Sequence, residues 1–269
     1  MDMPVEGIGL SSIQEINTLP REVVEALYAR LIPVELLERF RIDPTTLRDA
    51  AGARVVRITA PADKPWARVE VRASPEDRDP TLLVDVEMSP FSVPEMAFVQ
   101  ITDPSCPRYA IDRDHEGRDT LFGTTSRNLE EEVRAMQGGL APGQVRPGLR
   151  LLARVLETME GFCQLIGQEV FLIEPLFYHS AILYERRGCG YLLGREVMED
   201  INACFGEHGA FLPSLDGSSA FRQPGAAATV RGRSWALHDG VGGSAWGGVK
   251  MYKAAGRHAG MDTFPGGQY

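Results

Sequence analysis

A group of residues that could transfer protons follows a short apolar segment in the second half of the chain. Residues 170–173 are predicted to form a strand, and Glu174, Tyr178 and His179 come directly after it. In open α/β sheets, ligands gather at the carboxyl ends of strands. A glutamate and a histidine at such a place could act as a general base and its orienting acid. The alternative is structural, with Glu174 solvated at a strand end and His179 beginning a helix.

A second candidate site precedes a long amphipathic segment, for which the apolar spacing predicts a helix over residues 147–162. The start of a helix offers free backbone N–H groups and a favourable dipole to an anion, and an arginine adds charge-assisted contacts. We therefore expect a phosphate or carboxylate site there; the alternative is a loop with Pro147 in the first helical turn. The residues expected to bind the anion are Gln144, Val145, Arg146, Gly148 and Leu149.

Other motifs exclude several classes of chemistry. The acidic run over 112–119 begins like a calcium loop, but Gly123 stands where the loop requires its bidentate glutamate. The histidines do not have H-x-x-x-H or H-E-x-x-H spacing, and the four cysteines form no C-x-x-C pair, so no metal is expected. No G-x-S-x-G element or complete P-loop is present, which disfavours serine hydrolases and P-loop enzymes.

The charge is unevenly distributed along the 269 residues. The net charge is −9, with about +4 from residue 218 onward and about −13 before it. Such an acidic body argues against binding to nucleic-acid backbones, while the basic C-terminal tail either folds back on the body or meets an acidic protein partner. The sequence has no apolar run of 18 residues and no basic, apolar signal at its start, so we expect a cytoplasmic protein without a membrane span.

Hydrophobic periodicity predicts helices first, then a meander, then alternating helices and strands. Helices are predicted within 20–52 and over 128–136, 147–162, 179–187 and 195–205. Strands are predicted over 54–60, 67–73, 81–88, 95–101, 109–111, 170–173, 189–193 and 229–237, and residues 240–269 are expected to be loosely structured.

This order of elements over about 54–193 resembles the acyl-CoA N-acyltransferase (GNAT-like) superfamily. The segment Ala181-Ile-Leu-Tyr184-Glu-Arg-Arg-Gly188-Cys-Gly-Tyr191 is also similar to that family's A-x-x-F-Y-x-x-x-G-F segment. The resemblance implies an α+β or α/β fold with a mixed, mostly antiparallel central sheet flanked by helices. It divides the chain into a helical segment (1–52), a core (53–206) with an insertion at about 102–143, and an extension (207–269) with the Gly-rich basic tail.

The resemblance also implies a function. The family transfers an acyl group from a CoA-type or carrier-type thioester, its co-substrate, to an amine, and it binds the thioester where two central strands part. Tyr184 matches the residue whose hydroxyl can protonate the departing thiolate, and Glu174 or His179 would take the amine proton. Residues 143–149 stand where the family has its Q/R-x-x-G-x-G/A phosphate loop but lack that spacing, so a non-catalytic ligand-binding or protein-binding module on the same fold is the alternative.

Overall fold

The computed structural model describes residues 9–123, 125–243 and 246–269. The α-helices in these ranges are α1 (Ile13–Asn17), α2 (Arg21–Tyr28), α3 (Val34–Phe40), α4 (Leu129–Gln137), α5 (Leu152–Leu165), α6 (Tyr178–Glu185), α7 (Arg195–Cys204) and α8 (Val230–His238). The strands are β1 (Val56–Thr59), β2 (Trp66–Val71), β3 (Leu82–Met88), β4 (Pro94–Ile101), β5 (Val170–Ile173), β6 (Gly190–Leu193) and β7 (Lys250–Ala254). The strands form one seven-stranded sheet in the order β1-β2-β3-β4-β5-β7-β6.

The chain divides into two compact units, each assembled from three segments. The first unit comprises Met1–Pro104, Gly148–Ile173 and Tyr252–Arg257, and the second comprises Ser105–Pro147, Glu174–Met251 and His258–Tyr269. The boundaries expected from the resemblance at residues 52 and 206 stay predictions.

The first unit contains the predicted meander. Strands β1 to β4 pair antiparallel in sequence order, whereas β4 and β5 are parallel. The alternation read from β2 is confirmed, since Ala67, Val69 and Val71 are fully buried and the residues between them are not. The expectation of a mixed, mostly antiparallel sheet with helices is thus confirmed, while the GNAT-like identity of the fold stays a prediction.

Helix α5 carries the long apolar stripe that the sequence shows, but it begins five residues later than predicted. Val155, Met159 and Phe162 on this stripe are buried, and the Phe162 ring stacks on Tyr28 with 5.5 Å between ring centroids. The predicted start at residue 147 is wrong because Arg150 has a φ of 61°, in the left-handed region that a right-handed helix excludes.

Three predictions for the less regular parts of the chain are also wrong. Residues 229–237 form helix α8 rather than a strand, and the Thr229 side chain caps it by accepting a hydrogen bond from the Gly232 amide at 3.0 Å. Residues 250–254 form strand β7 within the segment expected to be loose. Residues 109–111 form no strand; Tyr109 and Ile111 instead pack into an apolar cluster of the second unit.

The basic residues near the C-terminus are largely paired within the chain. Arg222 contacts Asp239 at 2.8 Å, Lys250 contacts Glu174 at 3.2 Å, and Lys253 contacts Glu160 at 3.1 Å. This favours the expectation that the tail folds back on the chain, and the acidic protein partner stays a prediction.

We expect Asn17 to be a polar residue on which the first unit depends. Its side-chain amide donates to the carbonyl oxygens of Pro61, Lys64 and Trp66 and accepts from the Tyr28 hydroxyl at 2.6 Å. Replacing Asn17 by alanine leaves the buried Tyr28 hydroxyl without its partner and removes three part-buried hydrogen bonds to main-chain carbonyls, at a cost of about 3 kcal/mol in the free energy of unfolding. Urea unfolding measures this cost, with exposed Gln14→Ala in the same helix as the control; equal midpoints for the two variants would contradict the assignment.

Candidate functional site

Strands β4 and β5 run side by side over only two residue pairs. Glu95 pairs with Leu172 and Met96 pairs with Ile173, where β5 ends. Strand β4 continues for five more residues, Ala97 to Ile101, with no strand paired to this side among the described residues. β4 is buried up to Met96 and only partly buried from Ala97 onward, so burial changes at the position where the strands part. We call this position the fork.

A β-bulge lies at the fork. On the other side of β4, Val86 of β3 pairs with Met96 and Asp85 pairs with Phe98, so Ala97 has no partner in β3. A bulge leaves the extra residue outside the ladder and turns the local backbone, and bulges are frequent beside active sites. Ala97 therefore has no partner in β3 at the position where β5 ends.

The chain returns to the end of β4 at Gly148. A Cβ atom at this position would lie 3.1 Å from the carbonyl oxygen of Ile101, which is closer than most side chains tolerate. The lack of a side chain at Gly148 thus lets the segment leading into α5 lie against the last residue of β4. Residues 105–147, between these two points, belong to the second unit.

Seven consecutive backbone amides run from this contact into α5. Among the described residues, none of the amides from Gly148 to Arg154 has a hydrogen-bond acceptor. Any helix leaves its first four N–H groups unpaired, here those of residues 151–154. The amides of residues 148–150 are unpaired as well, and this longer run distinguishes α5 from an ordinary helix. The left-handed Arg150 followed by Leu151, with φ −94° and ψ 9°, is a sequence of conformations that makes a concave, anion-binding run of N–H groups.

Electrostatics at this segment also favour an anion. The N-terminal end of the fourteen-residue helix α5 carries the positive end of its dipole. The Arg150 side chain is exposed in the same segment. Arg154 is already paired with Glu35 at 2.8 Å and Glu157 at 2.6 Å, so Arg150 is the cation we expect a ligand to use.

A carboxylate that the sequence analysis missed lies at the fork. Glu95 is 7% exposed and occupies β4 one residue before the last β4–β5 pair, whereas Glu87, its partner on β3, is exposed. Its only signal in the sequence is one acidic residue inside a mainly apolar strand, a pattern that also describes ordinary surface strands. Burial is what distinguishes Glu95 from them.

The expected anion-binding residues fall into two groups. Gly148 and Leu149 belong to the segment of free amides just described. Gln144, Val145 and Arg146 lie in the second unit, where each makes contacts within that unit. Gln144 accepts from the Ala141 amide at 2.9 Å, the Val145 carbonyl accepts from the Tyr109 amide at 2.9 Å, and Arg146 donates to the Cys106 carbonyl oxygen.

The three residues expected to transfer protons, Glu174, His179 and Tyr184, lie in the second unit. No hydrogen bond between any two of them is present among the described residues. Glu174 is mostly exposed and pairs with Lys250 at 3.2 Å rather than with His179. Tyr184 is 7% exposed, and burial raises the pKa of its hydroxyl above the ordinary range. The roles assigned to Glu174, His179 and Tyr184 stay predictions, and the burial of Tyr184 means that its hydroxyl would need an opening to reach a thiolate.

His179 is held in a buried hydrogen-bonded pair. Its Nδ1 lies 2.9 Å from the Ser234 hydroxyl, and its Nε2 lies 3.4 Å from the Ser180 hydroxyl. The Phe177 ring stacks on its imidazole at 5.6 Å. Burial, with a smaller contribution from His238, lowers the pKa of His179 to about 3. The imidazole is therefore neutral near pH 7, and its hydrogen bonds serve the packing of α6 against α8.

The described ranges contain neither a cluster of metal-binding side chains nor a helix able to span a membrane. No group of three or more His, Cys, Asp or Glu side chains in them is arranged to bind a metal ion. Within the acidic run, the Asp114 carboxylate instead accepts from Arg118 and from two backbone amides. None of the helices that the structure describes is both long and apolar enough to span a bilayer.

Comparisons with protein-family models, with curated proteins and with solved structures find no match to this chain. The assignment of function therefore depends on the geometry of the chain itself.

The buried His179 predicts a pH dependence of stability. A histidine whose pKa is about 3 in the folded state and about 6.5 in the unfolded state binds its proton preferentially when unfolded. Its contribution is complete above pH 6.5 and falls as the pH drops toward 3, by at most about 1.4 kcal/mol per pH unit. Relative to His179→Asn, the unchanged protein should lose about 2 kcal/mol more unfolding free energy between pH 6.5 and 5.

Denaturant unfolding at the two pH values measures this difference. The control is His208→Asn, because the His208 side chain is 91% exposed and should leave the pH dependence unchanged. If His179→Asn has the same pH dependence as the unchanged protein, His179 is not a buried neutral group.

Proposed function

We propose that this protein is an acyltransferase that moves an acyl group from a CoA-type or carrier-type thioester to an amine. The observation that carries the proposal is the fork, where β4 parts from β5 at a bulge next to seven free amides, all within the first unit. The fork matches the thioester position that the GNAT-like resemblance implies.

The phosphates of the donor would bind at the start of α5. The amides from Gly148 to Arg154 can donate to phosphate oxygens, with the helix dipole and Arg150 adding charge complementarity. Because Gly148 lies against the end of β4, an extended arm attached to these phosphates can enter the space beside residues 97–101. Amide groups on such an arm would pair with the β4 edge as an added strand does.

The thioester would then lie near Ala97, at the closed end of the fork. The amine nitrogen attacks the thioester carbonyl carbon, the C–N bond forms, and the C–S bond breaks. A backbone N–H at the bulge would stabilise the oxyanion that develops on the carbonyl oxygen. The Glu95 carboxylate would accept the proton that the amine loses, and the departing thiolate would take a proton from water.

This proposal replaces the side chains favoured from the sequence with groups of the first unit. Glu95 takes the base role that was expected of Glu174 or His179, because Glu95 lies at the fork in the first unit, whereas Glu174 and His179 belong to the second unit. Tyr184 is not required for the step, because a thiolate is a sufficiently good leaving group to be protonated after it departs.

A non-catalytic binding module is the second candidate. The internal contacts of Gln144 and Arg146, together with the departure of this loop from the family spacing, favour it. Such a module would bind a CoA-type ligand at the same amides without transferring its acyl group, so affinity and turnover must be measured separately.

The role of the amides at the start of α5 can be tested by placing a negative charge beside them. Ala153 lies in the first turn of α5 and is partly exposed. Ala153→Glu adds a carboxylate that favours the helix dipole but repels phosphates, so CoA should bind at least about tenfold more weakly. Calorimetry with CoA measures this, and Ala153→Gln, of the same size without the charge, should stay within about threefold of the unchanged protein. Equal affinities for Ala153→Glu and Ala153→Gln would contradict the proposed phosphate site.

The role of Glu95 can be tested through turnover. Glu95→Gln keeps the shape of the side chain but removes the base, and it should lower kcat by about 100-fold with little change in acetyl-CoA affinity. Release of free thiol from acetyl-CoA in the presence of a panel of primary amines measures turnover. The control is Glu87→Gln, the exposed partner on β3. Full turnover in Glu95→Gln would remove Glu95 from the mechanism, and binding of CoA without turnover in the unchanged protein would favour the binding module.

A further inference from the structure

The second unit contains a cleft that the proposed acyl transfer does not use. It has a volume of about 350 Å³ and lies between the end of α4 and the N-terminal half of α8. Its walls come from residues 136–140 and 220–235. This volume is at the lower end of the range for small-molecule sites, so the occupant must be small.

The floor of the cleft is apolar and fixed in place. The rings of Phe221 and Trp235 stack with 4.9 Å between centroids, and Met136 and Leu140 lie beside them. The Trp235 Nε1 donates to the Leu140 carbonyl oxygen at 2.8 Å, so the one polar atom of this ring already has a partner. Phe221, Trp235 and Leu140 are nearly fully buried, so the apolar surface open to a ligand comes from the partly exposed Met136, Ala220 and Ala226.

The rim carries a cation. Arg231 donates from Nη1 to the Gly139 carbonyl oxygen and from Nη2 to the Tyr269 main-chain oxygen at 3.1 Å, and its guanidinium lies 5.2 Å from the centre of the Tyr269 ring. In the part of the chain that the structure describes, no Asp or Glu side chain pairs with Arg231. A guanidinium has five N–H donors, so the fixed group keeps donors for an anion at the mouth of the cleft.

Two glycines maintain this arrangement. A Cβ at Gly232 would lie 2.4 Å from the Ala226 carbonyl oxygen, so a side chain there would push the wall segment 224–228 away from α8. Gly139 has a φ of +80°, and a Cβ there would lie 3.0 Å from Arg231 Nη1. Both positions thus require glycine for the cleft and its cation to keep their present geometry.

We propose that this cleft binds a small carboxylate with an apolar body, as a ligand site separate from the acyl-transfer site. The apolar body would lie against Met136, Ala220 and Ala226, and the carboxylate would receive charge-assisted hydrogen bonds from Arg231. Gln223, also at the cleft, supplies an amide donor. The size of the cleft, its apolar floor and its single rim cation together select this class of ligand over a neutral aromatic or a bare anion.

The test compares phenylacetate with phenylacetamide, a neutral molecule of nearly the same shape, by calorimetry or ligand-observed NMR on the full chain. The unchanged protein should bind phenylacetate with a millimolar or lower Kd and at least about tenfold more tightly than phenylacetamide. Arg231→Gln should remove this preference, whereas Arg195→Gln, an exposed arginine on α7 paired with Glu199, should retain it. No binding of phenylacetate, or equal binding of the two compounds, would overturn the proposal.

A second pair of variants tests the position without changing charge. Ala226 lines the cleft and Ala228 lies in the same short helical segment without lining it. Ala226→Leu should fill the cleft and weaken phenylacetate binding at least about fivefold, and Ala228→Leu should not. Retained affinity in Ala226→Leu would place any bound phenylacetate elsewhere. Neither result depends on acyl transfer, so the two proposals can fail independently.

Discussion

The proposed donor site in the first unit depends on the place where the parallel strands β4 and β5 part. β5 ends at Ile173, opposite Met96, while β4 continues to Ile101. Backbone N–H and C=O groups are obligatory hydrogen-bonding groups, so a central strand that loses its neighbour must direct them to water, to another segment or to a ligand. The bulge at Ala97 lies at this same position. One interruption of pairing therefore leaves an open strand edge and a bulged residue at the same position, and the proposed donor site depends on both.

The segment that leads into α5 complements the fork because of backbone conformation rather than side-chain identity. Gly148 allows close contact with the end of β4, and the left-handed Arg150 delays the helix until Leu152. This delay lengthens the run of unpaired amides beyond what a helix start alone provides. The second unit serves other interactions, with a neutral buried His179 packed between helices and an apolar cleft with Arg231 at its rim.

Local patterns in the sequence predicted most helices and strands, whereas the proposed site depends on pairing between distant segments. The alternation of Ala67, Val69 and Val71 predicted β2 and its buried face, because a strand repeats every two residues. Helix α8 was missed because the buried Arg233 and Ser234 interrupt its apolar stripe. Only the family resemblance implied that the strand ending at Ile101 and the one starting at Val170 part; local patterns could not give the pairing of Met96 with Ile173, and Glu95 has no local signal of its burial. The phosphate-binding expectation overlaps the proposed donor segment only at Gly148 and Leu149, and it also relied on Gln144 and Arg146, which already have protein partners.

Amide NMR during titration with CoA tests the central claim most directly, because it reports on the backbone groups themselves. If the fork and the start of α5 form the donor site, the largest amide shift changes will fall in two stretches, residues 97–101 and 148–154. Saturable changes confined to these stretches would agree with the account. Unchanged amides in both stretches at saturating CoA, or changes centred on residues 136–140 and 220–235, would contradict it.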